Sequence, residues 1–440
     1  MVVYSEASEL FGCVVSNQRY RNRRECKSAS VKKQIDNLTN LACNAESDHE
    51  RGAILLVKTE LLEKLRKMRR AENTRKARWR RKRARKNFYN NPFKASKDIL
   101  SGEQKTRLKV SKETMDRFVQ EVASDPQREA DLPPLPGLPE VPDPQVPFNE
   151  KPFSFSVYKK FLKKTRNASS PGPNGTPYKV YKKCKKTASL LFSIINAVRK
   201  SGKIPLCWRI SDGPFIPKVD NPKEDNISDF RQIALMNVEG KIFWALVQDR
   251  LYNYLVEDNK FIKTSAQKGS IRRVPGCWEH TSMVWNLLRD AKTKKKPLVL
   301  LWLDLANAYG SVPHKLIELG LRRYKVPEPW IKLVLDYYDG LWGRSSGDSV
   351  KSEWMKYEKG IFAGCTVSVI LFLLAFNLII EYIQAGKPKE YVLNGKPVEV
   401  VRGFMDDISL AVPSIPIARF TLRRTIEVLA WPRMALKPSK

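Results

Sequence analysis

Hydrophobic and polar positions along the chain predict helix alone in its first part and helices mixed with strands afterwards. Residues 1–50 have no sustained hydrophobic period, so we assign them no structure, with a disordered tail as the alternative. From Ala53 to Phe88, apolar residues at helical spacing give way to a run of Arg and Lys. We therefore predict a basic helical region over residues 51–131.

A proline-rich segment follows the helical region. Residues 132–147 read LPPLPGLPEVPDPQVP, and proline fixes the backbone and lacks an N–H donor. The segment is thus unsuited to a helix interior or a sheet and favours a stiff, extended connector. We predict a linker over residues 132–150, a domain boundary there, and a folded domain over residues 151–440.

The predicted folded domain alternates helical periods with short strands, which is typical of an α+β fold. The helical period is clear in SLLFSIINAV from Ser189. The longest apolar stretch, from Thr366 to Ile380, is interrupted by Asn377 and is shorter than the roughly 20 residues that a bilayer requires. We predict a buried helix there and no membrane partner.

The composition of the chain is strongly basic. The formal net charge is +34, and such an excess of cations most often meets phosphate, although a basic scaffold surface is an alternative. The seven cysteines contain no C-x-x-C pair, which indicates reduced thiols rather than a zinc site. The N-terminus lacks the pattern of a secretion signal, so we expect a protein that stays inside the cell.

The basic run contains aromatic residues, a combination that suits an arm for nucleic acid. The cations that we select are Arg78, Arg80, Arg81 and Arg83, close to Trp79. A nuclear import signal, a solvated helix face and a disordered tail remain alternatives.

A single acidic residue ends an apolar run. The segment Pro297–Asp304 reads PLVLLWLD, which predicts a strand buried on both faces that ends at Asp304. A carboxylate in such a place is costly unless a cation, a partner or hydrogen bonds compensate it. A capped structural aspartate is the alternative.

A second acidic site, Asp406 and Asp407, lies between two strand-like segments of Glu399–Val412. A hairpin turn is predicted, and a solvated turn is the simple alternative because aspartate favours turns. Together with Asp304, however, the pair can supply three carboxylates to two divalent cations about 4 Å apart. Mg²⁺ prefers such oxygen ligands, and the chain has only three histidines.

Several blocks, in order along the chain, resemble the reverse transcriptases of non-LTR (LINE-type) retrotransposons, in particular the group with a restriction-like endonuclease. From the N-terminal side, the blocks are SSPGPNGTPYKVYKKC from Ser169, FIPK from Phe215, DFRQIALMNVEGKI from Asp229, SAQKGSIRRVPGCWEHTS from Ser265, DLANAY at Asp304–Tyr309, GIFAGCTVSVILF from Gly360 and FMDD at Phe404–Asp407. The resemblance implies a right-hand polymerase fold of fingers and palm over residues 151–440, preceded by the basic helical region.

The resemblance also implies RNA-directed DNA synthesis by two-metal nucleotidyl transfer from a dNTP to a primer 3′-OH. Asp304, Asp406 and the carbonyl of Leu305 would hold two Mg²⁺ ions, for which Mn²⁺ is a substitute, and Asp407 would support them. Lys218 and Arg231 would bind the incoming triphosphate.

Other nucleotide contacts follow from the same resemblance. The ring of Tyr309 would lie under the sugar and exclude a 2′-hydroxyl, and Gly364 would let the backbone approach the templating base pair. Lys440 would protonate the leaving pyrophosphate. Gln267 and Arg272 would touch the template, although solvated charge is an equal alternative for the basic residue.

The expected partners are an RNA template, a DNA primer and dNTPs, with other chains of the same element as further candidates. The nucleus is the predicted location, and the cytoplasm is the alternative. The chain ends soon after Asp407, so we expect a polymerase truncated before the thumb. A decayed remnant that only binds RNA or DNA is the rival hypothesis, because several positions depart from the family pattern: Asn174, Gln232, Ser270, Ala363 and Val369.

Overall fold

The computed structural model describes residues 23–45, 47–90, 106–167, 169–219 and 221–437. These residues divide into two compact units, one of residues up to 106 and one that begins at Arg107. Below they are called the helical unit and the polymerase unit, the second after the family that its motifs resemble.

The described residues of the helical unit form two packed helices, α1 (Arg23–Cys43) and α2 (Asp48–Asn90). Its apolar cluster is small and centres on Val31, Ile35 and Leu65. The predicted basic helix is confirmed in α2, whereas α1 falls where we assigned no structure. Because α1 has few apolar residues and buries them against a second helix, its own sequence gives a weak helical signal.

The polymerase unit contains both helices and strands, as the α+β prediction requires. Its helices are α3 (Lys112–Ala123), α4 (Phe155–Lys164), α5 (Tyr178–Lys183), α6 (Lys185–Ser201), α7 (Val238–Tyr252), α8 (Gly276–Thr293), α9 (Ala308–Ser311), α10 (His314–Arg323), α11 (Glu328–Asp339), α12 (Ser368–Ala385) and α13 (Ile415–Ala430). Short 3-10 turns lie at Leu206–Trp208 and Ile227–Asp229, and a π-helical turn lies at Asn253–Asp258.

The strands form three sheets. The strands are β1 (Ile210–Pro217), β2 (Phe230–Gln232), β3 (Leu235–Met236), β4 (Val299–Leu303), β5 (Trp342–Ser346), β6 (Met355–Lys356), β7 (Tyr391–Leu393), β8 (Lys396–Val398), β9 (Val401–Phe404) and β10 (Asp407–Val412). One sheet has the order β2-β1-β5-β6 with β3 beside β1, a second has the order β4-β10-β9, and β7 pairs with β8.

Helix α12 lies in the core of the polymerase unit and is buried along almost its whole length. It is also the described helix that is long and apolar enough to cross a membrane, but 78% of that window is buried inside the protein. Its polar residue Asn377 is satisfied, since it accepts from the Lys263 backbone N–H at 2.9 Å and donates to the Phe261 carbonyl at 3.0 Å. The predicted buried helix is confirmed.

The proline-rich segment differs from the predicted linker. Every third residue from Leu132 to Val141 is partly buried against the core of the polymerase unit. Trp431 donates its indole N–H to the carbonyl of Pro133 at 2.7 Å, and Lys315 pairs with Asp131 at 2.9 Å. The segment is extended but belongs to the polymerase unit, and the boundary between the compact units lies near residue 106.

Strand β4 forms where it was predicted, but it is not buried on both faces. Its residues are half-buried, and 66% of Trp302 is exposed. The sheet β4-β10-β9 packs one face on the core through Val401, Ile408 and Leu410. Because successive side chains alternate between faces, Trp302 and Asp304 lie on the other, more open face.

Candidate active site

The acidic pair lies on a tight hairpin between β9 and β10. Phe404 pairs with Asp407, which leaves Met405 and Asp406 as a two-residue turn. Met405 has φ of 56°, and two-residue hairpin turns require such a positive φ at their first central position. The turn prediction is confirmed, with Asp406 at the tip and Asp407 as the first residue of β10.

A buried glutamine holds this turn. The Oε1 atom of Gln267 accepts hydrogen bonds from the backbone N–H of Met405 at 2.9 Å and of Gly269 at 2.8 Å. Its Nε2 atom donates to the Met405 carbonyl at 3.2 Å. Since only 1% of Gln267 is exposed, its side chain supports the turn, and this burial disfavours the template contact that we predicted for it.

Asp304 lies beside the hairpin on the neighbouring strand. Leu303 pairs with Ile408 and Trp302 with Ser409, and Asp304 and Asp407 are the next residues of this antiparallel register. Side chains of facing residues in antiparallel strands point to the same side of the sheet. The fold therefore brings Asp304 and Asp407 together from positions about a hundred residues apart in the sequence.

The chain segment after α13 closes the other side of Asp304. The backbone N–H of Lys437 donates to the carbonyl of Asp304 at 2.8 Å, and the N–H of Ala306 donates to the carbonyl of Ala435 at 2.9 Å. Leu305 and Leu436 face each other between these two bonds. In such a pair the backbone groups point away from the partner strand, so the Leu305 carbonyl is directed toward the hairpin.

The three carboxylates differ in exposure: Asp304 and Asp406 are half-buried, and Asp407 is exposed. Among the described residues, no three His, Cys, Asp or Glu side chains are grouped closely enough to hold a metal ion. The triad of Asp304, Asp406 and Asp407 and its binding of metal therefore stay predictions.

Tyr309 lies close to the hairpin. Burial and the negative charge of Asp406 raise the pKa of Tyr309 to about 12. Its ring stacks on Phe372 of α12, with centroids 5.0 Å apart and an angle of 6° between the ring planes. Phe372 stacks in turn on Phe376 at 5.6 Å, so Tyr309 rests on a stack of buried rings.

Of the two predicted phosphate ligands, Arg231 lies on β2 and Lys218 directly follows its partner strand β1. Arg231 faces Ile216, and the Lys218 backbone N–H donates to the Asp229 carbonyl at 2.8 Å. Desolvation of its ammonium group lowers the pKa of Lys218, although the residue is exposed, and the positive charges of Arg231 and Lys437 lower it further. The charges of Arg231 and Lys437 thus both act on Lys218, and we call these three residues the cation cluster.

Gly364 lies where a side chain would not fit. Its φ is 134°, and an added Cβ would stand 2.3 Å from the carbonyl oxygen of Ala234. The neighbouring Ala363 carbonyl accepts the N–H of Ala234 at 2.8 Å. Glycine is therefore required here for the close approach of two chain segments. The contact predicted with a templating base pair stays a prediction.

Arg272 is anchored to α7 and the turn after it. It donates to Asp249 at 2.7 Å and to Asn253 at 3.1 Å, and its guanidinium lies 4.0 Å from the ring centroid of Tyr252. These contacts give it a structural role, and its predicted contact with template is untested.

The predicted basic arm is described in part. Arg78 and Arg81 are exposed on α2, and 59% of Trp79 is exposed. The side chains of Arg80 and Arg83, and the whole of Lys440, lie outside the described residues.

Two features of the site were not predicted from the sequence. Asn174, where the family pattern has an acid, donates its amide to both carboxylate oxygens of Glu239, at 3.1 and 3.0 Å. An aspartate would repel Glu239, so this departure fits its surroundings. Lys437 was also missed, and its signal was only that it lies three residues before Lys440.

Comparison with known proteins supports the same assignment. Residues 216–440 match the family described as reverse transcriptase (RNA-dependent DNA polymerase). A retrovirus-related Pol polyprotein from a type-2 retrotransposable element of Drosophila melanogaster is 25% identical over 274 residues, 62% of this chain and 24% of the relative. One from a type-1 retrotransposable element of Nasonia vitripennis is 24% identical over 232 residues, 52% of this chain and 21% of the relative.

The chain spans about a quarter or less of these curated relatives. The matches confirm the predicted resemblance to non-LTR retrotransposon reverse transcriptases and the fingers-and-palm fold class. The group with a restriction-like endonuclease stays a prediction. On the family match, which covers half of its length, the chain belongs to the reverse transcriptase (RNA-dependent DNA polymerase) family.

Proposed function

We propose that this chain carries out RNA-directed DNA synthesis as part of a non-LTR retrotransposon polyprotein. The observation that supports the proposal is the pairing of β4 with β10, because the next residues of that register are Asp304 and Asp407, and Asp406 lies on the adjoining turn. This arrangement would bring acidic groups from distant segments to one end of the sheet β4-β10-β9. The substrates would be an RNA template, a DNA primer and dNTPs.

The donor atoms at this edge fit Mg²⁺. They are carboxylate oxygens of Asp304 and Asp406 and the carbonyl oxygen of Leu305, and hard divalent cations prefer oxygen ligands. We propose that these three residues hold two Mg²⁺ ions, with Mn²⁺ as a substitute, and that Asp407 supports them. When bound, the ions would stabilise the attacking and leaving oxygens of an in-line displacement.

The cation cluster would bind the triphosphate. Phosphoryl transfer is accelerated mainly by positioning and by charges directed at the oxygens where negative charge develops. Lys218 and Arg231 are fixed by the pairing of β1 and β2, so they can meet those oxygens with little rearrangement.

Tyr309 would select the sugar. Its ring cannot retreat from a ligand easily, because Phe372 is stacked against its other face. We propose that a 2′-hydroxyl would collide with this ring, which favours deoxynucleotides over ribonucleotides.

Primer extension tests the proposal. The substrate is poly(rA) primed with oligo(dT), supplied with dTTP and Mg²⁺, and the variant carries Asp406→Asn and Asp407→Asn. Incorporation by the wild-type chain that the variant loses would support polymerase chemistry at this turn. Absence of incorporation by a folded wild-type chain that still binds RNA would reject it and favour the rival hypothesis of a binding remnant.

A further inference from the structure

Lys437 faces a proposed metal ligand. Leu305 and Leu436 are bridge partners in an antiparallel arrangement, so the next pair is Asp304 with Lys437. Facing side chains in such a pair lie on the same side, with their Cβ atoms roughly 5 Å apart. Lys437 and Asp407 therefore flank Asp304 on opposite sides, and all three side chains face the same way.

Lys437 also belongs to the cation cluster. Its positive charge lowers the pKa of Lys218, which directly follows β1, so charges from two distant chain segments act on each other. Lys437 is exposed, as are Lys218 and Arg231. Three cations that repel one another in the free protein gain most from a ligand that carries several negative charges.

From this geometry we infer that Lys437 binds the β- and γ-phosphates of the incoming nucleotide together with Lys218 and Arg231. The inference rests on the proposed function, and it names a residue beyond those that the resemblance implies. Lys437 would act as a fixed positive charge, with no proton transferred. This role differs from the proton donation predicted for Lys440.

A structural role is the competing interpretation. Lys437 can instead stabilise the strand end through its proximity to Asp304. If Lys437 binds the triphosphate, its removal should raise the KM for dTTP with little change in kcat, because binding is lost equally in the ground state and the transition state. A structural role predicts a lower kcat or a lower thermal midpoint with KM unchanged.

The experiment compares Lys437→Ala, Lys437→Arg and the control Lys389→Ala, which removes an exposed lysine outside the cluster. One readout is the KM and kcat for dTTP in primer extension, and the other is the Kd of the chain for dTTP and for dTMP. Thermal unfolding confirms that each variant is folded. We expect Lys437→Ala to raise KM and Kd for dTTP about tenfold and to leave dTMP binding unchanged. Lys437→Arg and Lys389→Ala should stay near wild type.

The two proposals fail in different ways. If wild type neither extends a primer nor binds dTTP, the proposed function is rejected and the inference falls with it. If wild type does both and Lys437→Ala matches it in KM and Kd, only the inference is overturned. A drop in kcat at unchanged KM also overturns it, in favour of a role through Asp304.

Discussion

Helix α2 and the cation cluster are both rich in positive charge, but they hold it differently. On α2 the charges are numerous and exposed, and ion pairs such as Lys76 with Glu72 at 2.8 Å lie within one helix. In the cation cluster the charges are few, and they come from separate segments held by strand pairing. The helical unit therefore carries many exposed positive charges, whereas the cation cluster of the polymerase unit carries a few whose positions are set by strand pairing.

The two arrangements of charge suit different ligands. A row of exposed cations attracts any polyanion, and its affinity falls as salt rises because counterions compete. A fixed cluster beside carboxylates can distinguish one phosphate group from another. Variants of each region can show whether the number of charges on α2 and the position of the charges in the cation cluster have separate effects.

The largest effect is expected from Asp304→Asn. The change keeps the shape of the side chain but removes a charged oxygen donor from the proposed metal site. Incorporation of dTMP should fall about a thousandfold or more, since metal stabilisation of the transition state is worth several kcal/mol. RNA binding by the chain, which we attribute in this proposal to the exposed cations of α2, should stay within twofold in a filter-binding assay. An equal loss of dTMP incorporation and of RNA binding would contradict the idea that the two depend on separate regions.

Gly364→Val should destabilise the polymerase unit by about 2–4 kcal/mol. A Cβ would stand 2.3 Å from the Ala234 carbonyl, at a φ of 134° that valine disfavours. The measurement is the urea midpoint followed by tryptophan fluorescence. The matched control is Gly395→Ala, at φ of 77° with nothing within 4 Å of an added Cβ, which should cost only about 1 kcal/mol. Equal costs at the two sites would argue against the close contact.

Gln267→Ala should lower kcat about tenfold and leave the KM for dTTP unchanged. Three hydrogen bonds to the turn and its neighbour are lost, so Asp406 is held less firmly, while the cation cluster is untouched. Primer extension under dTTP titration measures both constants. Gln120→Ala, at an exposed position on α3, is the control. A rise in KM alone would place Gln267 in nucleotide binding instead.

The smallest effect is expected from Arg78→Gln combined with Arg81→Gln. Affinity for RNA should fall modestly, and the slope of log affinity against log salt should decrease by about one to two, because up to two phosphate contacts are lost. The KM for dTTP should not change. An unchanged salt slope would mean that these exposed arginines do not meet phosphate.

Local patterns made part of this structure predictable from the sequence. Strand β4, the turn at Asp406 and helix α12 follow from runs of apolar residues and from the turn preference of aspartate. The facing positions of Asp304 and Asp407 were expected from the resemblance, because no local rule connects residues a hundred positions apart.

Other features depend on contacts that the sequence does not display. Trp302 looked buried because the run around it is apolar, but the sheet covers only one face there. The resemblance implies a template contact for Gln267, and the sequence did not show that its buried amide holds the turn. The proline-rich segment looked like a linker, and only its burial at every third residue shows that it packs on the polymerase unit.

The most direct test is single-turnover addition of one dTMP, measured against dTTP concentration. It compares the Lys218→Ala and Arg231→Ala double variant with the Arg78→Gln and Arg81→Gln double variant. Each loses two positive charges. We predict that the first needs at least about tenfold more dTTP for half-maximal rate, while the second matches wild type at saturating RNA. Equal shifts in the two variants would contradict the conclusion that position, rather than number, gives these charges their function.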